Sequence, residues 1–214
     1  MATAQTVIDG TLVRQQDASK TLWTDAELLI YANKAVDYLA QLLINRNDIY
    51  GTKAGSITTV DGTETYTLAD NSMTDFVAMY QGAKASESGM WIDDSFLSPC
   101  RITERVSYTD SSEGEPEKYY ITATSIGLLP VPDAVYTVSL LYFYKPTTLL
   151  VGTSMPYNDV FNGAIGAFID SMAAARAEQD ISNITQLYNE LEKQALGVIR
   201  NRNAIRPRMV LRRR

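Results

Sequence analysis

Histidine is absent from this sequence of 214 residues, and cysteine occurs once, at Cys100. Without histidine the chain cannot form a Ser-His-Asp triad or a Cys-His pair, and a zinc cluster of Cys and His ligands is excluded as well. A single cysteine rules out a disulfide within the chain. Catalysis by paired carboxylates, Ser-Lys arrangements and metal sites built from carboxylates alone remain possible.

Long apolar runs are also missing. No run approaches the roughly 18 residues that span a bilayer, and residues 1–16 lack the basic start and apolar core of a secretory signal. Apolar residues make up 45% of the chain and charged residues 21%, as in an ordinary folded protein. We therefore expect a globular chain without a membrane partner, made in the cytoplasm, with one domain that carries an insertion.

Acidic side chains are missing from the C-terminus, where Arg200–Arg214 contains seven arginines. The preceding residues hold 12 basic and 25 acidic side chains, so a body of formal charge −13 carries a tail of +7. Opposite charges of this size attract each other. The distribution predicts that the tail binds an acidic partner or joins copies of the chain.

Two helices are predicted near the N-terminus. Apolar residues recur at helical spacing within Ala4–Gln16, which predicts a short helix. The pattern for Asp25–Asn45 is stronger, because Thr24 and Glu27 can form a capping box and Trp23 stands at the position of a hydrophobic staple. This second helix is predicted to be amphipathic.

A sheet region is predicted to follow, because the apolar period changes to two and turn residues become frequent. The predicted strands are Ile57–Val60, Glu64–Leu68, Phe76–Tyr80, Cys100–Tyr108, Lys118–Ala123, Ile126–Leu129 and Val135–Tyr144. Asp61-Gly62 predicts a hairpin between the first two strands, and Pro130–Asp133 a turn between the last two. The final strand is apolar on both faces and is expected to be central or covered on both sides. Gln81–Asp94 and Asp110–Glu117 are predicted contact loops.

The helical period returns after Pro146. Asn158 or Asp159 can cap a helix, and Asp180–Asn183 offers a break and a new cap before the stripe resumes to about Arg200. The two predicted stripes are Phe161, Ile165, Phe168, Met172 and Ala175, then Ile184, Leu187, Leu191, Ala195 and Val198.

These elements predict an α+β fold in which N- and C-terminal helices form a small bundle around an inserted antiparallel, sandwich-like β-domain, with an extended C-terminal tail. The predicted segments are 1–46 and 147–199 for the bundle, 47–146 for the β-domain and 200–214 for the tail.

The order of elements and several residues resemble the head-to-tail adaptor (connector) proteins of tailed bacteriophages. At the N-terminus the resemblance rests on Val7-Ile8, Leu12, Asp17, Leu22-Trp23-Thr24-Asp25-Ala26-Glu27-Leu28-Leu29 and Asn33. In the second half it rests on Tyr120-Ile121, Ile126, Leu128, Pro130, Pro132, Val138–Pro146 and Asn158–Ile199. The residues from Gln81 to Asp94 have no counterpart in that pattern.

The resemblance implies a structural protein of the virion neck, made in the host bacterial cytoplasm. Such a protein forms a ring, usually of twelve copies, that docks on the portal protein and bridges it to tail or nozzle proteins. No catalytic residue, metal ligand or cofactor is implied. The C-terminal segment of such adaptors commonly engages the portal.

The arginine-rich tail is therefore the main candidate binding segment. Its proposed partner-binding residues are Arg200, Arg202, Arg206, Arg208, Met209, Leu211, Arg212, Arg213 and Arg214. Arginine pairs in a bidentate way with carboxylate or phosphate. Carboxylates of the portal or of a neighbouring subunit are favoured over DNA in the neck channel, because the acidic body repels DNA.

Two other functions stay open. A virion-associated glycan hydrolase would need two carboxyl groups about 5 to 10 Å apart, one with a raised pKa, and no spacing points to such a pair. A structural protein that lines the DNA channel would use the tail for non-specific phosphate contacts. The acidic residues Glu113, Glu115, Glu117 and Asp93-Asp94 are expected to be solvated surface charge, and Cys100 a small apolar residue. Tyr119, Tyr142 and Tyr144 could serve either the core or an interface.

Overall fold

The computed structural model describes residues 2–17, 19–81, 88–107, 113–177 and 184–204, with side chains up to residue 200. The chain divides into two compact units. The helical unit comprises Met1–Tyr50 and Pro146–Arg214, and the β unit comprises Gly51–Lys145. Both helices and sheets are therefore present, and the predicted α+β class is confirmed; the extended tail lies largely outside the described residues.

The helical unit contains four α-helices in its described residues: α1 Ala4–Arg14, α2 Asp25–Asn45, α3 Asn162–Ala177 and α4 Ile184–Ala204. Local capping fixes where three of these segments begin. The Thr3 hydroxyl accepts a hydrogen bond from the Thr6 amide, and Thr24 and Glu27 form the predicted capping box. Asn158 caps a short 3-10 helix, Asp159–Phe161, that leads directly into α3.

Helix α3 lies at the centre of the helical unit, because it packs against each of the other three helices. The spacing of its apolar residues buries one stripe of the helix. The predicted burial is confirmed for Phe161, Ile165, Phe168 and Met172. Ala175, the fifth predicted member of the stripe, is half-buried. Helix α4 is buried along one narrower stripe, formed by Leu191, Ala195 and Ile199. The break predicted at Asp180–Asn183 lies outside the described residues.

The described residues of the β unit form two sheets. The strands are β1 Thr52–Thr58, β2 Thr65–Thr67, β3 Phe76–Met79, β4 Met90–Ile92, β5 Ser95–Phe96, β6 Ser98–Pro99, β7 Lys118–Ile121, β8 Ser125–Leu129 and β9 Thr137–Tyr144. The first sheet has the order β1-β9-β4-β5, with β3 also paired to β9, and the second has the order β2-β8-β7-β6. All pairs are antiparallel except the short β6–β7 pair, which is parallel.

Strand β9 is the central strand of the first sheet, as its two apolar faces predict. On one side it pairs with the whole of β1, from Thr52 opposite Phe143 to Thr58 opposite Thr137. On the other side it pairs first with β3 and then with β4. The two sheets share one apolar core, to which β9 contributes Val138, Leu140 and Tyr142 and β8 contributes Ile126 and Leu128.

The predicted hairpin at Asp61-Gly62 is wrong. The turn exists, and Gly62 has the positive φ of 70° that glycine tolerates, but β1 pairs with β9 and β2 pairs with β8. The Gly62 amide donates to the carbonyl oxygen of Pro132 at 2.9 Å. The turn at Asp61-Gly62 therefore joins a strand of the first sheet to a strand of the second, and so does the turn at Pro130–Asp133. The hydrogen bond shows that these two turns lie side by side.

Two other local predictions are also wrong. The segment predicted as a strand over Cys100–Tyr108 contains a 3-10 helix, Ile102–Ser107, whose start is held by a hydrogen bond from the Glu104 amide to the Arg101 carbonyl at 2.9 Å. The predicted loop Gln81–Asp94 contains strand β4. Strand β4 forms because it pairs with the distant strand β9. The residues of the 3-10 helix pair with no strand of the described chain, so their apolar pattern did not produce one.

Candidate functional site

The arginine-rich tail begins on helix α4. The helix extends to Ala204, one turn beyond the predicted end near Arg200, so Arg200 and Arg202 belong to its last turns. The Arg200 side chain is exposed. Positive charge at the C-terminal end of a helix is favoured by the helix dipole. The other predicted binding residues, Arg206, Arg208, Met209, Leu211, Arg212, Arg213 and Arg214, lie outside the described residues.

Side-chain contacts to α2 and α3 fix the position of α4. The Tyr38 hydroxyl donates to Glu192 Oε2 at 3.1 Å, and Arg46 lies 3.5 Å from Glu192 Oε1. The Tyr188 ring lies between Tyr38 and Phe168, with ring centroids 4.9 and 5.0 Å away. The arginine-rich segment therefore begins on a helix that is packed against α2 and α3.

Asp17 organises the connection between α1 and α2. It is buried and accepts hydrogen bonds from the amides of Thr21, Leu22 and Trp23, at 2.8 to 2.9 Å, and from the Thr21 hydroxyl at 2.7 Å. The Thr21 hydroxyl and these amides lower the pKa of Asp17 to about 2. The Asp17 carboxylate thus serves as the hydrogen-bond acceptor for three backbone amides of this turn.

Arg176, near the end of α3, ties that helix to the start of α2. Its guanidinium lies 3.2 Å from Glu27 Oε1, donates to the Tyr31 hydroxyl at 3.4 Å and lies 5.8 Å from the centroid of the Trp23 ring. Hydrogen bonds from Thr24, with the Arg176 charge, lower the pKa of Glu27. The residues that carry the resemblance at the N-terminus therefore position helices, and their role is structural.

Asn33 holds the segment that re-enters the helical unit after Pro146. Its side chain accepts from the Leu149 amide at 2.7 Å and donates to the Leu149 carbonyl at 3.3 Å. The next two residues, Leu150 and Val151, are 63% and 57% exposed, and Ile30, one turn before Asn33 on α2, is 55% exposed. The sequence pattern did not single out these three exposed apolar residues.

The acidic residues that the sequence analysis singled out in the β unit are on the surface, as expected. Glu113, Glu115 and Glu117 are exposed, and so are Asp93 and Asp94 in the turn between β4 and β5. Across the part of the chain that the structure describes, no group of three or more potential metal ligands is present.

Cys100 and the tyrosines Tyr119, Tyr142 and Tyr144 are buried or partly buried in the β unit. Cys100 is half-buried, and burial raises the pKa of its thiol, which makes it a poor nucleophile. Tyr119 and Tyr142 are buried, and Tyr144 is partly buried against the same core. The Tyr142 hydroxyl donates to Asp75 Oδ1 at 2.9 Å.

Four described carboxyl groups have a pKa that is lowered, which is the wrong direction for a general acid. The pKa values of Asp17, Glu27, Glu104 and Asp159 are all lowered, chiefly by hydrogen bonds that stabilise the charged form. A general acid of a glycosidase requires the opposite shift. Within the described residues there is also no helix with the length and hydropathy needed to cross a membrane.

A family model matches the chain over nearly its whole length. The model of the family described as SU10 adaptor protein matches residues 2–214, which includes both units and the arginine-rich tail. No curated protein matches the chain. The match agrees with the resemblance that the N-terminal motif and the order of elements had indicated.

Proposed function

The chain belongs to the SU10 adaptor protein family, and we propose that it acts in the virion neck as a ring, of twelve copies, that docks on the portal and bridges it to tail or nozzle proteins. The family match over residues 2–214 is the observation that carries this proposal. It supports the earlier interpretation of the chain as a phage adaptor. In this function the chain works by association, without a cofactor and without catalysis.

We assign the joint with the portal, or with a neighbouring subunit, to the tail of residues 200–214. Helix α4 is packed against α2 and α3 and carries the first arginines on its last turns. Repetition around a ring would add many individually weak arginine contacts into a strong joint. The exposed apolar residues Ile30, Leu150 and Val151 offer further surface for contacts between subunits.

Carboxylates are the more favourable target for the tail than DNA. The residues before Arg200 carry a formal charge of −13, which opposes contact with the DNA backbone. Arginines near a channel can still touch phosphates non-specifically, and such binding would fall steeply with salt.

We expect the triple variant Arg212→Gln, Arg213→Gln, Arg214→Gln to bind isolated portal rings of the same virus roughly tenfold more weakly than the unmodified chain, or worse. Three surface charge pairs per copy would be lost, and the loss repeats around the ring. Co-sedimentation over a range of salt concentrations measures the effect, and electron microscopy of the pellet shows whether a ring forms.

The matched control removes three positive charges elsewhere, through Lys34→Gln, Arg101→Gln and Lys145→Gln. All three side chains are exposed. The control is expected to bind portal rings like the unmodified chain. Absence of portal binding by the unmodified chain at low salt would contradict the proposal, and tight, salt-sensitive binding to duplex DNA alone would favour the channel-lining function.

A further inference from the structure

The β unit has an exposed corner where the edges of its two sheets meet. The chain passes from β5, at the edge of the first sheet, through Leu97 into β6, at the edge of the second. The Leu97 amide donates to the Met90 carbonyl at 2.9 Å, and the Ser98 amide donates to the Glu117 carbonyl at 2.9 Å. The backbone of the corner is thereby fixed to both sheets.

Two aromatic rings face outward at this corner. Trp91 on β4 and Phe96 on β5 lie opposite each other in the strand pair, with ring centroids 6.3 Å apart in an edge-to-face arrangement. Trp91 is half-buried and Phe96 is 49% exposed. An aromatic pair on a short edge strand leaves ring surface that a partner can cover.

Phe96 separates two grooves. One has a volume of about 340 Å³ and is lined by Trp91, Asp93, Asp94 and Phe96. The other has a volume of about 430 Å³ and is lined by Ser95–Ser98 and Glu115–Lys118. Both grooves therefore combine the aromatic surface with carboxylates.

Four carboxylates of these grooves are exposed: Asp93, Asp94, Glu115 and Glu117. None of them forms an ion pair within the described residues, and the one basic side chain in the lining, Lys118, lies 3.5 Å from Glu104 instead. The β unit as a whole holds six basic and thirteen acidic side chains, a formal charge of −7. The corner thus presents uncompensated negative charge next to exposed aromatic rings.

A guanidinium group is the ligand that suits this surface. It stacks on aromatic rings and pairs with carboxylates through several N–H donors at once. An extended segment that alternates arginine with apolar residues would place both kinds of side chain along the grooves.

We propose that this corner, defined by Trp91, Asp93, Asp94, Phe96, Glu115 and Glu117, binds residues 200–214 of a second copy of the chain. That segment carries seven arginines, no acid and the apolar residues Met209, Val210 and Leu211. Its charge of +7 balances the −7 of the β unit. The inference rests on the proposed ring, in which each copy offers one tail and one corner and the contact closes on itself around the ring.

The test uses a full-length chain in which all seven tail arginines are replaced by glutamine, so that its own tail does not compete. The probe is a fluorescent peptide of residues 200–214. We expect saturable binding by fluorescence anisotropy, weakened about three- to tenfold by Asp93→Asn with Asp94→Asn. Phe96→Ala is expected to weaken binding as well, through loss of the stacking surface.

The matched control is Asp37→Asn with Asp61→Asn, which removes two exposed carboxylates that line neither groove. It should leave peptide binding unchanged, and circular dichroism should show that every variant is folded. A second readout is charge exchange in the intact chain: Asp93→Arg with Asp94→Arg should impair ring formation, and adding Arg212→Glu with Arg213→Glu should restore it.

Equal peptide binding by the corner variant and the control would overturn the inference, as would charge exchange without rescue. Failure of the peptide to bind, while the intact chain still co-sediments with portal rings, would reject the corner and leave the adaptor function standing. Peptide binding at the corner without any portal binding by the intact chain would reject the adaptor function and leave the corner as a binding site for the tail.

Discussion

Replacing Gly89 with alanine is expected to destabilise the β unit by about 3 kcal/mol. Gly89 is buried at the point where β3 ends and β4 begins along β9. A Cβ atom there would collide with the backbone carbonyl oxygens of Tyr80 and Leu141. Backbone atoms of a sheet cannot move aside as a flexible side chain can, so the sheet would have to open.

The hydrogen bonds at risk hold β9 to both of its neighbours on that side. The Leu141 amide donates to the Gly89 carbonyl at 2.6 Å, and the Tyr80 amide donates to the Leu141 carbonyl at 3.0 Å. Each such bond contributes about 1 kcal/mol net. Loss of both, added to the steric clash, supports the expected magnitude.

Guanidinium chloride unfolding followed by Trp91 emission measures this effect in a Trp23→Phe background, where the remaining tryptophan reports on the β unit. Gly163→Ala serves as the control, because no atom lies within 4 Å of the added Cβ at this exposed position near the start of α3. Because Gly163 belongs to the helical unit, its replacement is expected to leave the unfolding transition that Trp91 reports nearly unchanged. Equal stability of the Gly89 and Gly163 variants would show that the sheet tolerates the side chain.

Replacing Asp17 with alanine is expected to lower the Tm of the helical unit by roughly 5 to 10 °C. The substitution leaves three backbone amides and the Thr21 hydroxyl without the buried carboxylate that accepts their hydrogen bonds. Asp17→Asn should have a smaller effect, because the amide keeps one oxygen but directs an NH₂ group toward donors. The signal of Trp23 in a Trp91→Phe background follows the unfolding of this unit.

The effect of Asp17 should also depend on pH in a defined direction. Its pKa is about 2 in the folded chain, below the ordinary value of 3.8, so folding favours the charged form. The stability that Asp17 contributes is present above about pH 4 and is lost as the pH falls from 3.8 toward 2. The difference in Tm between the unmodified chain and Asp17→Asn should therefore shrink between pH 5 and pH 2.5.

Asp37→Asn is the matched control for this measurement, because Asp37 is an exposed carboxylate on α2. It should leave the Tm nearly unchanged at both pH values. A difference between the unmodified chain and Asp17→Asn that stays constant over this range would mean that the charge of Asp17 does not contribute to folding.

Sequence patterns predicted the helices well because their signals are local. The capping box of Thr24 and Glu27 and the apolar spacing of α2 lie within one element, and the structure confirms both. The two apolar faces of β9 likewise indicated a central strand without any knowledge of its neighbours. The resemblance to phage adaptors also rests on the sequence, through its N-terminal motif and the order of its elements, and the family match agrees with it.

Strand pairing was not predictable in the same way. Asp61-Gly62 has the composition of a hairpin turn, yet the strands on either side belong to different sheets. Strand β1 pairs with β9, and β2 with β8, across long stretches of chain. These partners are chosen by the shared core of the two sheets, which no window of a few residues contains.

The sequence by itself determined the helical segments, the central strand, the separation of a basic tail from an acidic body and the resemblance to adaptor proteins. Only the tertiary structure decided that Trp91 and Phe96 meet at a corner with Asp93, Asp94 and Glu115. It also decided that Asp17 receives four hydrogen bonds in a closed turn. Helix caps and net charge depend on neighbouring residues and composition, whereas a binding surface depends on which distant segments the folded chain brings together.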